Sequence, residues 1–335
     1  MKTRMKTKQM SSTAQSSNPS QSLPDDLVLI IVARVSVMYY PILSLVSKSF
    51  RSLLASPELY KVRSLLGHTE SCLYVCLKTK PYKTYTWFTL CRKPDQTLTS
   101  SNERRSDGHH VLARVPMNHS PDVRFSSLVA VGSDIYNIGV PEAARLKPYC
   151  TPSFSCVSVL DCQTHTWREA PSLPVELYTV AAGVLDGKIY VLGKTRKSAF
   201  GKRKNSFQVL DIKTQVWDSA VIPFNRINGS HFDNTVCIDG KFNVVTCGEV
   251  ATYDPKEGRW DLGFEPICKQ ILSDSYCEID NVLYCAADGG LRWYDSKVRQ
   301  WRDLKGLVGL SRFSSVDQVR LADYGGKMAV MWGRR

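Results

Sequence analysis

The chain has 335 residues, of which 43% are hydrophobic and 22% charged, and it carries a formal net charge of +13; this length allows one large domain and a small one. The longest apolar run near the start, residues 27–35, is interrupted by Arg34 and is much shorter than the roughly 20 residues that cross a membrane, so no spanning segment is expected. The eleven cysteines form no Cys-x-x-Cys pair, which favours reduced, buried thiols of a cytoplasmic or nuclear protein over a disulfide scaffold or a zinc site.

The first 22 residues are rich in Ser, Thr and Gln and contain no acidic side chain. Such a composition buries too little apolar surface to offset the entropy lost on ordering, so residues 1–19 are expected to form a disordered tail. A basic start without acidic residues is also typical of an organelle transit peptide, but a hydrophobic helix follows here instead of a cleavage region.

A first helix is predicted from Pro24 to Val35. Proline fits the first position of a helix, where its missing N–H costs nothing. Asp25 and Asp26 would lie in the first turn, where their charges complement the positive end of the helix dipole. The apolar side chains that recur at helical spacing are Leu27, Ile30, Ile31 and Val35.

A second helical stretch is predicted to open at Pro41 and to end before Pro57, with a last short helix after it. Three or four short helices in about 45 residues bury little surface, and a module of this size is marginally stable alone. We therefore expect a partner to cover one of its faces. The apolar stripe of the second stretch consists of Ile42, Leu45, Val46, Phe50, Leu53 and Leu54.

These residues resemble the F-box, in which a leading Leu-Pro pair, here Leu23-Pro24, and a Val-x-Lys-x-aromatic core, here Val46 to Phe50, recur. Phe50 stands where many members have tryptophan. The resemblance covers residues 20–66 and implies binding to a Skp-type adaptor that links to a cullin scaffold. Periodicity alone leaves open that these side chains pack only on each other or on the downstream domain. The residues that the resemblance assigns to adaptor contact are Leu23, Pro24, Leu27, Ile31, Val35, Leu45, Val46, Phe50 and Leu53.

Further along the chain, a unit of aspartate, five residues and tryptophan occurs four times, and a strand-like run precedes each aspartate. The tryptophans are spaced by 50, 43 and 41 residues, which indicates a structural repeat. A large indole in each repeat would fill the space where neighbouring sheets stack. The four pairs are Asp161 and Trp167, Asp211 and Trp217, Asp254 and Trp260, and Asp295 and Trp301.

Tight hairpin turns are predicted between these units, most clearly at Asp186-Gly187 and Asp239-Gly240. Asp-Gly between β-branched runs favours turns with left-handed backbone angles, so Gly187 and Gly240 are predicted structural residues. Each period would then hold four strands, which is the size of a propeller blade.

This pattern resembles the kelch repeat, and the order of the two parts resembles plant F-box/kelch-repeat proteins. The expected fold class is a small all-α F-box module followed by an all-β kelch-type propeller of about six blades. The last repeat lacks the aspartate–tryptophan unit, so we expect an incomplete blade with an open strand edge, from a shortened gene model or a weakened ring. The repeats are expected near residues 71–117, 125–171, 179–223, 231–265, 275–305 and 313–335.

No glycine-rich phosphate loop, His-Glu-x-x-His or Gly-x-Ser-x-Gly motif is present in the sequence. The resemblance therefore implies a protein without catalytic residues, metal or cofactor: the substrate-recognition subunit of an SCF-type ubiquitin ligase. The target protein is not identifiable from the sequence. Its candidate contact segments are the predicted loops 93–108, 141–152 and 194–205, because propeller loops gather on one rim.

Two other functions stay open on the sequence. A propeller enzyme resembling a copper oxidase would need histidine, tyrosine and cysteine ligands that converge at one face, and metal analysis of the protein would detect it. A nucleic-acid binder would use a basic cluster, although no aromatic residues are interleaved with it. The same cluster also fits a nuclear import signal or a solvated loop between two strands. It consists of Lys194, Arg196, Lys197, Lys202, Arg203 and Lys204.

Overall fold

The computed structural model confirms the expected fold class, with helices at the start of the chain and a β-propeller after them. The residues that the structure describes are 23–79, 84–92, 110–117, 119–124, 127–141, 153–196, 203–220, 234–245, 250–263, 276–307, 310, 313 and 318–333. The predicted tail, the predicted target segment 93–108 and all but the first residue of the predicted target segment 141–152 lie outside this description.

The helical module contains four α-helices and one 3₁₀ turn. They are α1 (Asp25–Ala33), the 3₁₀ turn (Val37–Tyr39), α2 (Tyr40–Leu43), α3 (Lys48–Leu54) and α4 (Pro57–Leu65).

Two of the predicted helix boundaries were wrong. The first helix begins one residue after Pro24 and ends at Ala33, so Val35 lies beyond it. The stretch after Pro41 is two helices instead of one. Ser47 has an extended backbone, and its hydroxyl accepts a hydrogen bond from the N–H of Phe50 at 3.1 Å. This side-chain cap begins a new helix and explains the break.

Arg63 joins α4 to the end of α1. Its guanidinium is buried and donates to the carbonyl oxygens of Ala33 at 2.9 Å and Val35 at 2.5 Å. It also donates to the Tyr40 hydroxyl at 3.0 Å and forms a salt bridge with Glu70 at 3.1 Å. Carbonyls at a helix C-terminus have no partner within the helix, so a buried cation there satisfies them and fixes how the helices pack.

Beyond the helical module, the described residues form antiparallel sheets in which consecutive strands pair. The first sheet has three strands: β1 (Tyr74–Thr79), β2 (Thr84–Arg92) and β3 (His110–Arg114). The next two sheets have four strands each: β4 (Leu128–Val131), β5 (Asp134–Gly139), β6 (Cys156–Asp161) and β7 (Thr166–Ala170), then β8 (Val180–Leu185), β9 (Lys188–Arg196), β10 (Arg203–Asp211) and β11 (Val216–Ala220).

Two more four-stranded sheets follow: β12 (Asn234–Ile238), β13 (Lys241–Val245), β14 (Val250–Asp254) and β15 (Arg259–Gly263), then β16 (Tyr276–Ile279), β17 (Val282–Ala287), β18 (Gly290–Asp295) and β19 (Gln300–Asp303). The last described sheet has two strands, β20 (Gln318–Asp323) and β21 (Met328–Gly333).

The sheets are arranged around a centre formed by their first strands. β4 contacts β8, β8 contacts β12, β12 contacts β16, and β16 contacts β20. Apolar side chains fill the layers between neighbouring sheets; one such layer brings Val157 and Val159 together with Ile189 and Val191. The described apolar core of the propeller is therefore divided into layers, each of which lies between two neighbouring sheets.

The Asp-Gly pairs form hairpin turns with both residues in the left-handed region. The φ angles are 49° at Asp186 and 71° at Gly187, and 51° at Asp239 and 67° at Gly240. These angles belong to the type of turn whose twist matches that of antiparallel strands.

The segment 194–205, predicted as a loop, is in part strand. β9 and β10 pair from Lys188 opposite Asp211 as far as Arg196 opposite Arg203. The prediction was wrong for residues 194–196 and 203–205, because cross-strand pairing continues into the basic stretch, where charged side chains hid the strand pattern. Residues 197–202 of the segment lie outside the described residues.

No single helix among the described residues is long and apolar enough to cross a membrane; only α1 taken together with residues 37–43, across a bend of 107°, reaches that length.

Candidate adaptor and target interfaces

The helical module exposes a group of large apolar side chains. Leu45 and Val46, on the turn between α2 and α3, are 77% and 64% exposed. Leu23, Leu27 and Ile31 are about half exposed at the start of α1 and along it. Pro24, beside them, is also exposed. Several large apolar side chains exposed on one small module are typical of a protein-binding surface. We call Leu23, Leu27, Ile31, Leu45 and Val46 the apolar face.

Three other predicted contact residues lie differently. Val35, Phe50 and Leu53 are half-buried and pack against the core of the module, which includes Leu54 and Leu59. Packing within the module covers much of the surface of these three side chains. Their contact with an adaptor stays a prediction.

Two exposed leucines and one exposed isoleucine are not among the predicted contact residues. Ile30 is 37% exposed on α1, while Leu65 and Leu66, at the end of α4, are 86% and 38% exposed. The helical repeat of Leu27, Ile30 and Ile31 could have signalled the first. No signal distinguishes Leu65 from a core residue, because its exposure follows from how α4 packs.

Polar contacts attach the helical module to the propeller. Glu70, on the segment between α4 and β1, accepts a hydrogen bond from the N–H of Val37 at 2.7 Å. The guanidinium of Arg92, at the end of β2, donates to the Tyr39 hydroxyl at 2.5 Å and lies over its ring. The Arg92 contact places the 3₁₀ turn against the first sheet, and the Glu70 contact fixes the connecting segment to that turn.

Each repeat aspartate closes the turn that follows its strand. Its carboxylate accepts hydrogen bonds from the N–H groups two and three residues later, and the residue four positions on has a positive φ. Aspartate is well suited to this turn because its side chain reaches its own backbone two residues on. The aspartates and their nearer donors are Asp161 with Gln163 (2.7 Å), Asp211 with Lys213 (2.9 Å), Asp254 with Lys256 (3.0 Å) and Asp295 with Lys297 (3.2 Å).

These hydrogen bonds shift the ionisation of two of the carboxyls. The N–H of Thr214 lowers the pKa of Asp211. Burial raises the pKa of Asp254. The N–H of Lys256 and the ammonium of Lys241 lower it by more, so the net shift is again downward. A lowered folded-state pKa means that these carboxylates stabilise the fold above their ordinary pKa of 3.8, and that this contribution is lost as the pH falls through the lowered pKa.

The repeat tryptophans pack towards the preceding sheet. Trp260 is 6% exposed and meets Phe207 edge-on, with ring centroids 4.8 Å apart. Such aromatic pairs add to the stability that burial of the rings provides. The other three contacts are Trp167 with Trp87 (centroids 5.9 Å apart), the Trp217 N–H with the carbonyl oxygen of Pro171 (2.8 Å), and Trp301 with the apolar layer around Val245 and Val250.

Three observations concern a metal-dependent enzyme or a nucleic-acid binder. Among the described residues, no group of three or more His, Cys, Asp and Glu side chains could hold a metal ion. Burial raises the pKa of Cys76, Cys162 and Cys237 to about 12, so these thiols are protonated at neutral pH and are not activated as nucleophiles. In the basic cluster, Lys194 is only 7% exposed, which removes it from any surface that contacts phosphates.

Two family models match the chain. The F-box domain matches residues 20–62, and the FKB95 kelch-repeats domain matches residues 87–335.

Several proteins of Arabidopsis thaliana are similar along most of their length. The F-box/kelch-repeat protein At5g51250 is 57% identical over 93% of this chain and 83% of its own. The F-box/kelch-repeat protein At3g08810 is 51% identical over 94% of this chain and 76% of its own, and At4g39550 is 46% identical over 99% and 85%. With an exposed apolar face on a helical module, repeated aspartate–tryptophan turns in a propeller, and these similarities, the chain belongs to the plant F-box/kelch-repeat protein family.

Proposed function

We propose that this chain is the substrate-recognition subunit of an SCF-type ubiquitin ligase. The helical module binds a Skp-type adaptor, which joins the chain to a cullin scaffold, and the propeller holds the protein that is to be ubiquitinated. The observation that carries this proposal is the apolar face, because a module with a small core leaves these side chains in water unless a partner covers them.

The chain itself performs no bond chemistry in this role. It raises the effective concentration of target lysines beside the ubiquitin-loaded enzyme, as a tether does. The contact of Arg92 with Tyr39 supports this role, since it attaches the adaptor-binding module to the target-binding propeller. We expect the chain to act as this subunit in the cytoplasm, the nucleus or both.

The test is binding of a purified Skp-type adaptor, measured by isothermal titration calorimetry. Replacing Leu27→Asp together with Ile31→Asp puts two charges on the apolar face, and we expect affinity to fall by at least about a hundredfold, as for the central residues of an interface. Leu65→Asp is the matched control, because Leu65 is exposed on the same module but is not one of the predicted contact residues.

Leu65→Asp should bind like the unchanged protein. Equal affinity of the double variant and the unchanged protein would contradict the proposal, and so would an adaptor that fails to bind the unchanged chain. Helical circular dichroism of each variant shows that the module is still folded.

A further inference from the structure

One tyrosine forms a polar contact between the first sheet and the second. The Tyr74 hydroxyl, at the start of β1, donates to the carbonyl oxygen of Cys162 at 2.8 Å and lies 2.9 Å from Nε2 of His165. Cys162 and His165 belong to the turn between β6 and β7, so the contact crosses from one sheet to the next. The rings of Tyr74 and His165 also meet edge-on, with centroids 6.0 Å apart. We call this group of three residues the tyrosine joint.

The partners in the tyrosine joint decide which atoms carry the protons. A hydroxyl has one proton and a carbonyl oxygen can only accept, so the proton of Tyr74 points to Cys162. Burial raises the pKa of Tyr74, so the hydroxyl keeps this proton. The Tyr74 oxygen must then accept from His165, which requires a hydrogen on Nε2. A neutral His165 in this joint therefore has its free lone pair on Nδ1.

The next repeat makes a similar contact with a side chain that does not ionise. Gln215 is the fourth residue after Asp211, as His165 is the fourth after Asp161, and the two φ angles are 57° and 58°. Nε2 of Gln215 donates to the hydroxyl of Tyr136, in β5 of the preceding sheet, at 3.3 Å. A side-chain amide takes up no proton near neutral pH, whereas histidine does. The chain therefore uses an ionisable donor between its first two sheets and a neutral one between the next two.

The surroundings of the tyrosine joint disfavour a charge on His165. Burial lowers the pKa of His165 below its ordinary value of 6.5, although the Asp161 carboxylate in the same turn acts in the opposite direction. Tyr60 of α4 and Cys72 of the connecting segment lie near Tyr74. Burial raises the pKa of both groups, so they are uncharged at and below neutral pH. Asp161 is thus the ionised neighbour of His165, and its attraction is smaller than the cost of burial.

We propose that His165 makes the contact between the first two sheets sensitive to acid: the neutral ring holds the Tyr74 hydroxyl, and a proton on Nδ1 loosens the joint. The helical module follows the first sheet, because Arg92 at the end of β2 donates to Tyr39. Acid therefore changes how firmly the sheet that carries the module is held to the rest of the propeller. This property belongs to the fold and does not depend on adaptor binding.

The direction of the pH effect follows from the two states of the joint. In an opened joint His165 titrates with its ordinary pKa of 6.5, and in the closed joint with a lower pKa. Below pH 6.5 the open state binds more protons than the closed state. The stability of the joint is therefore fully present above pH 6.5 and is lost as the pH falls from there through the lowered pKa.

Hydrogen exchange of the full chain, followed by mass spectrometry, measures the opening of the joint in peptides that contain β1. His165→Gln is the main variant, since Gln215 has the same backbone angle at the same place in its turn. At about pH 7.5 the variant and the unchanged protein should exchange at similar rates, because both have a neutral donor. At about pH 5 the unchanged protein should exchange at least about threefold faster than the variant, because only its joint is loosened by a proton.

Two further variants separate the charge from the hydrogen bonds. His68→Gln is the matched control, because His68 is exposed, and it should exchange like the unchanged protein at both pH values. Tyr74→Phe removes the hydroxyl that both partners contact, so it should speed the exchange of β1 at neutral pH as well as in acid.

Equal exchange of His165→Gln and the unchanged protein in acid would overturn the proposal. Faster exchange of His165→Gln already at neutral pH would also overturn it, because a neutral donor would then not replace the histidine. So would a Tyr74→Phe chain that exchanges like the unchanged protein at both pH values, since the hydroxyl would then not hold the two sheets together.

Discussion

The helical module and the propeller use apolar side chains in opposite ways. In the propeller, residues such as Leu210 and Phe242 are fully buried between stacked sheets. In the helical module, Leu45 remains 77% exposed, and Leu27 47%. A stack of repeats can cover both faces of each inner sheet, while a module of about 40 residues is too small to cover all its apolar surface. The difference teaches that the propeller buries its apolar side chains by stacking its own sheets, whereas the helical module leaves several of them exposed.

The largest effect is expected from removing a tryptophan that packs between sheets. Trp260→Ala should lower the free energy of unfolding of the propeller by about 3–5 kcal/mol, because the vacated space adjoins the rings of Phe207 and Tyr253. Urea unfolding followed by circular dichroism measures the change. Adaptor affinity should stay the same, since the helical module does not contact Trp260 in the described contacts.

A loss below about 1 kcal/mol for Trp260→Ala would show that the layers between sheets are not the core of the propeller. If Trp260→Ala also weakened adaptor binding, the two regions would not behave as distinct units.

A smaller effect is expected at a hairpin turn. Gly187 has a φ of 71° and nothing within 4 Å of an added Cβ, so Gly187→Ala should cost about 1 kcal/mol through backbone strain alone. Gly263→Ala is the control, because Gly263 has the same open space without a positive φ. Equal unfolding midpoints in urea for the two variants would show that the left-handed turn is not what requires glycine.

The smallest effect on stability is expected on the apolar face, and it sharpens the comparison most directly. Val46 and Val216 are 64% and 60% exposed, the first in the helical module and the second in the propeller. Val46→Ser and Val216→Ser should each change the free energy of unfolding by less than about 0.5 kcal/mol. Only Val46→Ser should weaken adaptor binding, by at least about fivefold in calorimetry. Equal affinities of the two variants would remove Val46 from the interface.

Local patterns predicted much of the fold. Strand alternation, Asp-Gly turns and the aspartate–tryptophan units are short-range features, and the structure has sheets where these patterns occur. The helix boundaries were less accurate, since the cap at Ser47 depends on whether a single hydroxyl meets the N–H of Phe50. The extension of β9 and β10 into the basic cluster was missed because pairing between strands is not visible in one strand alone.

The order of a helical module and a repeat domain, and the residue types of each, follow from the amino-acid sequence itself, because turn chemistry and hydrophobic period act over a few residues. The tertiary structure alone decided which apolar residues are left in water. Leu45 and Leu54 are similar in chemistry and lie in one predicted stripe, yet the first is exposed and the second is 6% exposed. That distinction depends on which elements pack together, including the buried Arg63 that holds α4 against α1, and contacts between distant segments set it.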